Sequence, residues 1–186
     1  MHILPRSFYQ RDPLTVAPDL LGKILLHNLD GVILSGRIVE TEAYLAFIDQ
    51  ASHSYNGKTA RNSSLFGEAG HAYVHSIHKQ NCIDIVTELV NIPSSILIRS
   101  LIPLKGIELM KTLRNKKDIK LLTNGPGKLC QALSISKDLD SIDVTKSSSE
   151  LTILDDGFRI NPAQIKRSKR VGLSKAKESK YRFFIA

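Results

Sequence analysis

Gly36-Arg37-Ile38-Val39-Glu40-Thr41-Glu42-Ala43-Tyr44 closes a run that begins at Val32. Val32, Ile38 and Val39, the branched Thr41 and the Tyr44 ring favour an extended strand. Side chains two and four residues apart on a strand share a face, so Glu40, Glu42 and Tyr44 are expected to point the same way. A strand end with its acids in water would account for them blandly. Two carboxylates and a phenol ringed by apolar sequence are costly to bury without a use, however. The adjoining segment favours a use: from Leu45 to Gly70 the chain is polar, small and turn-rich. A long aperiodic loop inside a compact domain is usually functional or disordered.

Working outward, Asp30-Gly31 is a hairpin signal between Lys23–Asn28 and Val32–Tyr44. A second hairpin is predicted with Lys79-Gln80 at its tip, flanked by His71–His78 and Asn81–Glu88, and Ser94–Leu101 reads as a further strand. Asp12-Pro13 has the form of a helix start, with Asp as N-cap and Pro in the first turn. Short helices are predicted over Ile107–Arg114 and from Gly125-Pro126-Gly127 through Leu133, and Ser147-Ser148-Ser149 reads as a turn. There is no strand–helix–strand rhythm. The expected fold class is α+β, a single domain over residues 1–186, with an antiparallel or mixed sheet flanked by short helices. A chain of 186 residues is long enough to bury a proper core.

The balance of 26 Lys+Arg against 18 Asp+Glu, net +8, points to an anionic partner. Nucleic acid is the first candidate and an anionic membrane surface the second. Met1-His2-Ile3-Leu4-Pro5-Arg6 lacks the order of a signal peptide, and no apolar run reaches the length of a spanning helix, so a cytoplasmic, soluble protein is expected. Cys82 and Cys130 are the only cysteines; both are expected to be reduced and buried. Between Lys166 and Arg182, eight cations face the single acid Glu178. Such a segment would track phosphates and make binding fall with salt.

Several segments together resemble the alkyladenine (3-methyladenine) DNA glycosylases. They are Arg37–Tyr44, Asp49, Ala51-Ser52-His53-Ser54 and Thr59-Ala60-Arg61-Asn62, then Ser95–Leu104, Asn124–Leu133 and Arg182-Phe183-Phe184-Ile185. The likeness runs in order over nearly the whole chain. It implies a base-excision glycosylase acting on double-stranded DNA that holds damaged purines such as 3-methyladenine, hypoxanthine or etheno adducts. The target base is flipped into a pocket. Breaking the base–deoxyribose bond builds positive charge on the sugar, which a carboxylate stabilises while taking a proton from the attacking water. The resemblance assigns that role to Glu42. Arg99 would hold the same water and keep Glu42 ionised by its charge. Glu40 reads as structural. Tyr44 would stack under the base, and His53 would read its edge and stack from the other side. No lysine stands where an amine nucleophile would be needed, which favours monofunctional hydrolysis over a lyase. No cofactor, no membrane and a monomer are expected.

The stretch Tyr73–Asp84 departs from the family pattern. His75 and His78 stand where relatives place tyrosines, the first stacking on the base and the second wedging into the duplex. Asp84 stands where relatives have Asn, and the tip is one residue short. An Asp accepts a hydrogen bond where an Asn amide would donate one, so Asp84 would repel phosphate or prefer a protonated base. A non-catalytic nucleic-acid-binding protein on the same scaffold is the competing reading. His71, His75, His78, Cys82 and Asp84 superficially resemble a zinc site, but alternation separates His75 from His78 and no second cysteine pair supports one. Gly125, Gly127 and Lys128 resemble the phosphate-cradling turn of helix-hairpin-helix repair proteins; a close-packed helix start would also explain the glycines. Lys169 and Arg170 complete the expected phosphate contacts, which position without reading sequence.

Overall fold

The computed structural model, which describes Met1–Ala186, is built on the strand around Glu42. Nine strands occur: β1 (His2–Ile3), β2 (Ile24–Leu29), β3 (Val32–Tyr44), β4 (Ala72–Ile77), β5 (Gln80–Thr87), β6 (Ser94–Lys105), β7 (Leu151–Asp155), β8 (Ile165–Ser168) and β9 (Arg182–Ile185). Four α-helices accompany them: α1 (Arg6–Tyr9), α2 (Pro13–Asp19), α3 (Ile107–Arg114) and α4 (Pro126–Ala132). All strands join one sheet in the order β1-β7-β2-β3-β6-β5-β4, with β9 pairing β3 and β8. Every pairing is antiparallel, which resolves the predicted antiparallel-or-mixed sheet and agrees with the α+β class.

β3 holds this sheet together because it serves three partners. Val32–Arg37 pair with β2, Ser35–Tyr44 with β6, and Glu40–Glu42 with β9. Its register against β6 shifts at three places. Between Ile38 and Glu40, β6 advances one residue while β3 advances two, so Val39 is the extra residue. Between Glu40 and Thr41 the extra residue is Arg99, on β6. Bulges re-aim side chains and cluster near active sites; here they bring Arg99 to the acid pair. Gly36 is required nearby, since a Cβ there would lie 2.8 Å from the Leu101 Cβ.

The helices cover the apolar face. One cluster of 30 buried residues joins Leu25, Leu34, Ile38, Ile83, Ile96 and Ile98 of the sheet to Val16, Ala17, Met110 and Leu129 of the helices. Asp12 caps α2 by accepting from the Leu14 amide at 2.7 Å, with Pro13 in the first turn, as predicted. Thr41 is fully buried and donates to the Ala17 carbonyl at 2.8 Å, pinning α2 to β3. Asp30-Gly31 forms the first hairpin tip, with Leu29 opposite Val32.

The second tip corrects the expectation. Ile77 pairs with Gln80, so the two turn residues are His78 and Lys79, at φ 48° and 65°. A two-residue turn with both centres left-handed matches the twist of its strands. Turn-forming Gly or Asn is absent there, and the sequence therefore misplaced the tip by one residue. β1, β7 and β8 were not predicted. The long loop after β3 holds a 3₁₀ helix over Ala60–Phe66, started by a capping box between Thr59 and Asn62.

Candidate active site

Antiparallel register places Glu42 opposite Leu97, Leu97 opposite Asp84, and Asp84 opposite Tyr73. Directly paired residues share a face, so one row across β3, β6, β5 and β4 runs from the acid pair to Tyr73. At about 4.8 Å per strand, Glu42 and Asp84 stand roughly 10 Å apart. Positions two residues along the same strands add Tyr44, Ser95 and His75 to that face. Above it lies a cavity of about 70 Å³ lined by Tyr44, His53, Tyr73, His75, Asp84 and Leu97 among others. A wider cleft of about 370 Å³ adjoins it, bordered by His78, Arg99, Gly125, Lys128 and Val171, with Tyr44, Ile77, Leu97 and Leu173 lining both.

Glu42 is completely buried. Its Oε2 accepts from the Tyr44 hydroxyl at 2.9 Å and its Oε1 from the Val171 amide at 2.9 Å, with Arg99 Nε 3.3 Å from Oε1. Arg99 donates to Glu40 at 2.8 Å, and Arg182 donates to the same Glu40 oxygen at 2.6 Å. Burial raises the Glu42 pKa above its ordinary 4.5, outweighing the opposing pull of Arg99, the Val171 amide, the Tyr44 hydroxyl and Arg170. The Arg99 charge pulls the Glu42 pKa down, toward the ionised form, but removal from water is the larger effect. Glu40 goes the other way, because hydrogen bonds from Arg182 and Arg99 overcome its partial burial. Glu40 is thus the anchor for two guanidinium groups, in keeping with a structural role.

The far wall is aromatic. His75 stacks on Tyr73, centroids 4.8 Å apart and planes within 23°, and meets the His53 ring edge-on at 4.6 Å. His53 Nδ1 lies 2.9 Å from the Tyr73 hydroxyl. Burial, helped by neighbouring His75, depresses the His53 pKa below 6.5, so its imidazole is neutral at neutral pH. His75 Nε2 and Asp84 Oδ1 are 3.0 Å apart, and Asp84 Oδ2 accepts from Ser95 Oγ at 2.7 Å. No three His, Cys, Asp or Glu side chains converge as metal ligands; His71 lies instead by Arg6, 3.5 Å from its guanidinium.

The loop that delivers His53 is held by Asn62, whose side-chain amide donates to the His53 and Gly57 carbonyls at 2.8 and 3.0 Å. Tyr73, Ser95, Asn62 and Asp49 therefore shape the site, and no role was read for them from the sequence. Asp49, Asn62 and Ser95 lie in the segments that resemble the family, and Tyr73 carries a signal of its own in lying two residues before His75 on one strand.

The structure overturns the reading of Arg170 as a phosphate contact. Its side chain is 1% exposed and forks onto Asp49 at 2.5 and 2.8 Å, while donating to the Ala43 carbonyl at 2.9 Å. Its guanidinium carbon sits 4.5 Å from the centroid of the Tyr44 ring. Arg170 clamps the C-terminal loop onto β3, with no face left for DNA. Gly127 likewise has a packing role: a Cβ there would lie 2.8 Å from the Gln80 Cβ, so the residue lets the β4–β5 hairpin seat against α4. Gly125 and Lys128 remain on the rim of the cleft. His78 is exposed at the hairpin tip, and Lys169 is exposed and paired with Glu178 at 2.6 Å. Lys166, Arg167, Lys175, Lys177 and Lys180 are also exposed. No helix is long and apolar enough to cross a membrane.

Comparison with known proteins meets this geometry from another side. The family model described as methylpurine-DNA glycosylase (MPG) matches residues 7–186. A Clostridium perfringens (strain 13 / Type A) protein named "Putative 3-methyladenine DNA glycosylase" is 43% identical over 195 residues, covering 98% of this chain and 95% of the relative. Proteins of the same name are 42% identical in Methanoculleus marisnigri and 40% identical in Koribacter versatilis; both alignments cover 98% of this chain, with 94% and 89% of the relatives. A match over nearly the full length shows that the chain belongs to the methylpurine-DNA glycosylase family.

Proposed function

We propose that this protein is a monofunctional DNA glycosylase that hydrolyses the bond between deoxyribose and a damaged purine flipped out of duplex DNA. The observation that supports this most is Glu42: a buried carboxylate, braced by Arg99, a backbone amide and Tyr44, whose ring lines the aromatic cavity. As the C1′–N bond breaks, its electron pair leaves with the base and positive charge grows on the sugar. Glu42 stabilises that charge and accepts a proton from the water that attacks C1′. A base works best when its pKa lies near the working pH, and burial moves Glu42 in that direction. Arg99 holds the water in place. Glu42 has no exposed surface, so a neighbour must yield to admit that water. Val171, whose amide holds Oε1 and which is 49% exposed beside the cleft, is the natural gate.

In this reading Tyr44 and His75 sandwich the base, while His53 and Asp84 read its edges. His78 fills the gap left in the helix; its left-handed backbone at an exposed tip keeps the ring outside the sheet. Gly125, Lys128 and Lys169 contact phosphates, placing double-stranded DNA without reading sequence. Substrates are purines such as 3-methyladenine, hypoxanthine and etheno adducts. The chemistry is tested by incubating a duplex holding one hypoxanthine with the protein. An intact strand that breaks only after alkali, with no adduct trapped by borohydride, is expected. A borohydride-trapped protein–DNA adduct would overturn the monofunctional assignment.

A further inference from the structure

We infer that Asp84 makes this pocket selective for purines carrying a fixed positive charge over neutral lesions of the same shape, an inference that rests on the glycosylase reading of the cavity. Asp84 is 4% exposed and lines the cavity. No lysine or arginine is among the 12 lining residues, and Asp84 forms no ion pair with either residue type anywhere in the molecule. Its two polar neighbours are His75 and Ser95. Ser95 donates its hydroxyl hydrogen. For Asp84 to accept from His75 as well, the His75 proton resides on Nε2, which leaves Nδ1 with its lone pair. That Nδ1 is buried and has no hydrogen-bond partner.

The wall is therefore made of acceptors. A carboxylate offers about four lone-pair sites and two are used here, so its remaining capacity, like the unpaired His75 nitrogen, calls for a donor or a positive charge. An orphaned buried polar atom carries a cost that a suitable ligand removes. Alkylation of a purine ring nitrogen within a nucleoside leaves a formal positive charge on the ring, whereas deamination to hypoxanthine puts a neutral carbonyl acceptor on its edge. The first complements an acceptor wall; the second faces acceptor with acceptor. Asp84 is therefore a specificity-determining residue, acting on the substrate and not on the attacking water.

The difference is measurable without turnover. Duplexes carrying a hydrolysis-resistant 2′-fluoro-7-methylguanine, which is cationic, and 7-deaza-7-methylguanine, its neutral isostere, are titrated with the full-length protein. Attraction between a buried carboxylate and a ring cation implies a preference of about ten- to a hundredfold for the cation. Asp84→Asn keeps the shape and can still bond Ser95 and His75; it is expected to bring the two affinities within about threefold. Equal affinities in the wild type, or a preference that survives Asp84→Asn in a variant of unchanged melting temperature, would overturn the inference. Release of methylated purines from methylated genomic DNA, run in parallel, separates the two readings. Release without charge preference removes this inference and leaves the glycosylase. Charge preference without release from that DNA removes the glycosylase reading and leaves a charge-selective base-binding pocket.

Discussion

Replacing Arg170 by Met removes one half of an ion pair in which both side chains are 1% exposed. Solvent screening is negligible at that depth, and Asp49 would be left with its carboxylate uncompensated, a loss of about 3–5 kcal/mol. The backbone amides of Leu45 and Ala51 still donate to Asp49, at 3.3 and 3.0 Å, which places the loss at the lower end of that range. For a domain of this size the melting temperature should fall by roughly 6–12 °C. Asp49→Asn combined with Arg170→Met should cost less than the sum of the single changes, because the double variant strands no charge. Urea denaturation of all four proteins gives the coupling. The same proteins are then titrated with duplex DNA between low and moderate salt. A phosphate contact contributes about 0.9 to the slope of log affinity against log salt. Lys128→Ala should flatten the slope by about that amount and Arg170→Met should leave it unchanged. If Arg170→Met were nearly neutral for stability yet flattened the slope, the guanidinium would be a DNA contact and its assignment as a clamp on Asp49 would be wrong.

Glu42→Gln should stabilise the fold at pH 7. The folded pKa of Glu42 is raised, so its stabilising contribution is complete below the unfolded value near 4.5 and lost as pH rises through the folded value. Urea midpoints of the two proteins should therefore differ at pH 7 and converge near pH 4; a difference that grows on acidification contradicts the assigned direction. His78→Ala should slow base release from duplex by roughly tenfold while sparing single-stranded substrate, because a lost stacking ring matters only where a base must be displaced. Equal losses on both substrates would discard the wedge. Asn62→Ala strands the His53 and Gly57 carbonyls at a cost of about 1–3 kcal/mol. It should raise KM more than it lowers kcat, and a selective fall in kcat would show that Asn62 does more than place His53.

What could be read from the sequence was local. The alternation Glu42–Tyr44 follows from a period of two, and the pair is indeed joined by a hydrogen bond. Asp30-Gly31 and Asp12-Pro13 carry their own turn and cap chemistry, and both fall where expected. Resemblance to the family brought Arg99 and His53 to attention, and the fold sets them beside Glu42 and the aromatic wall respectively. What stayed hidden depends on distant partners. Arg170 looks like one cation in a basic run until Asp49, 121 residues away, is packed against it. The bulges at Val39 and Arg99 arise from pairing between strands and have no composition signature. The direction of the Glu42 shift is a contest between burial and an arginine, and only a burial measurement decides it. β1 and β8, two and four residues long, are too short for periodicity to show.

The central claim is that Glu42 carries the hydrolysis, and the most direct measurement is single-turnover base release by wild type and Glu42→Gln from a hypoxanthine duplex and from methylated genomic DNA. Wild type should release base from at least one substrate, while Glu42→Gln should release none above background and still bind duplex with wild-type salt dependence. Release by Glu42→Gln at the wild-type rate would contradict the claim. So would binding of DNA by both proteins with release by neither, which would make the chain a binding protein on a glycosylase scaffold.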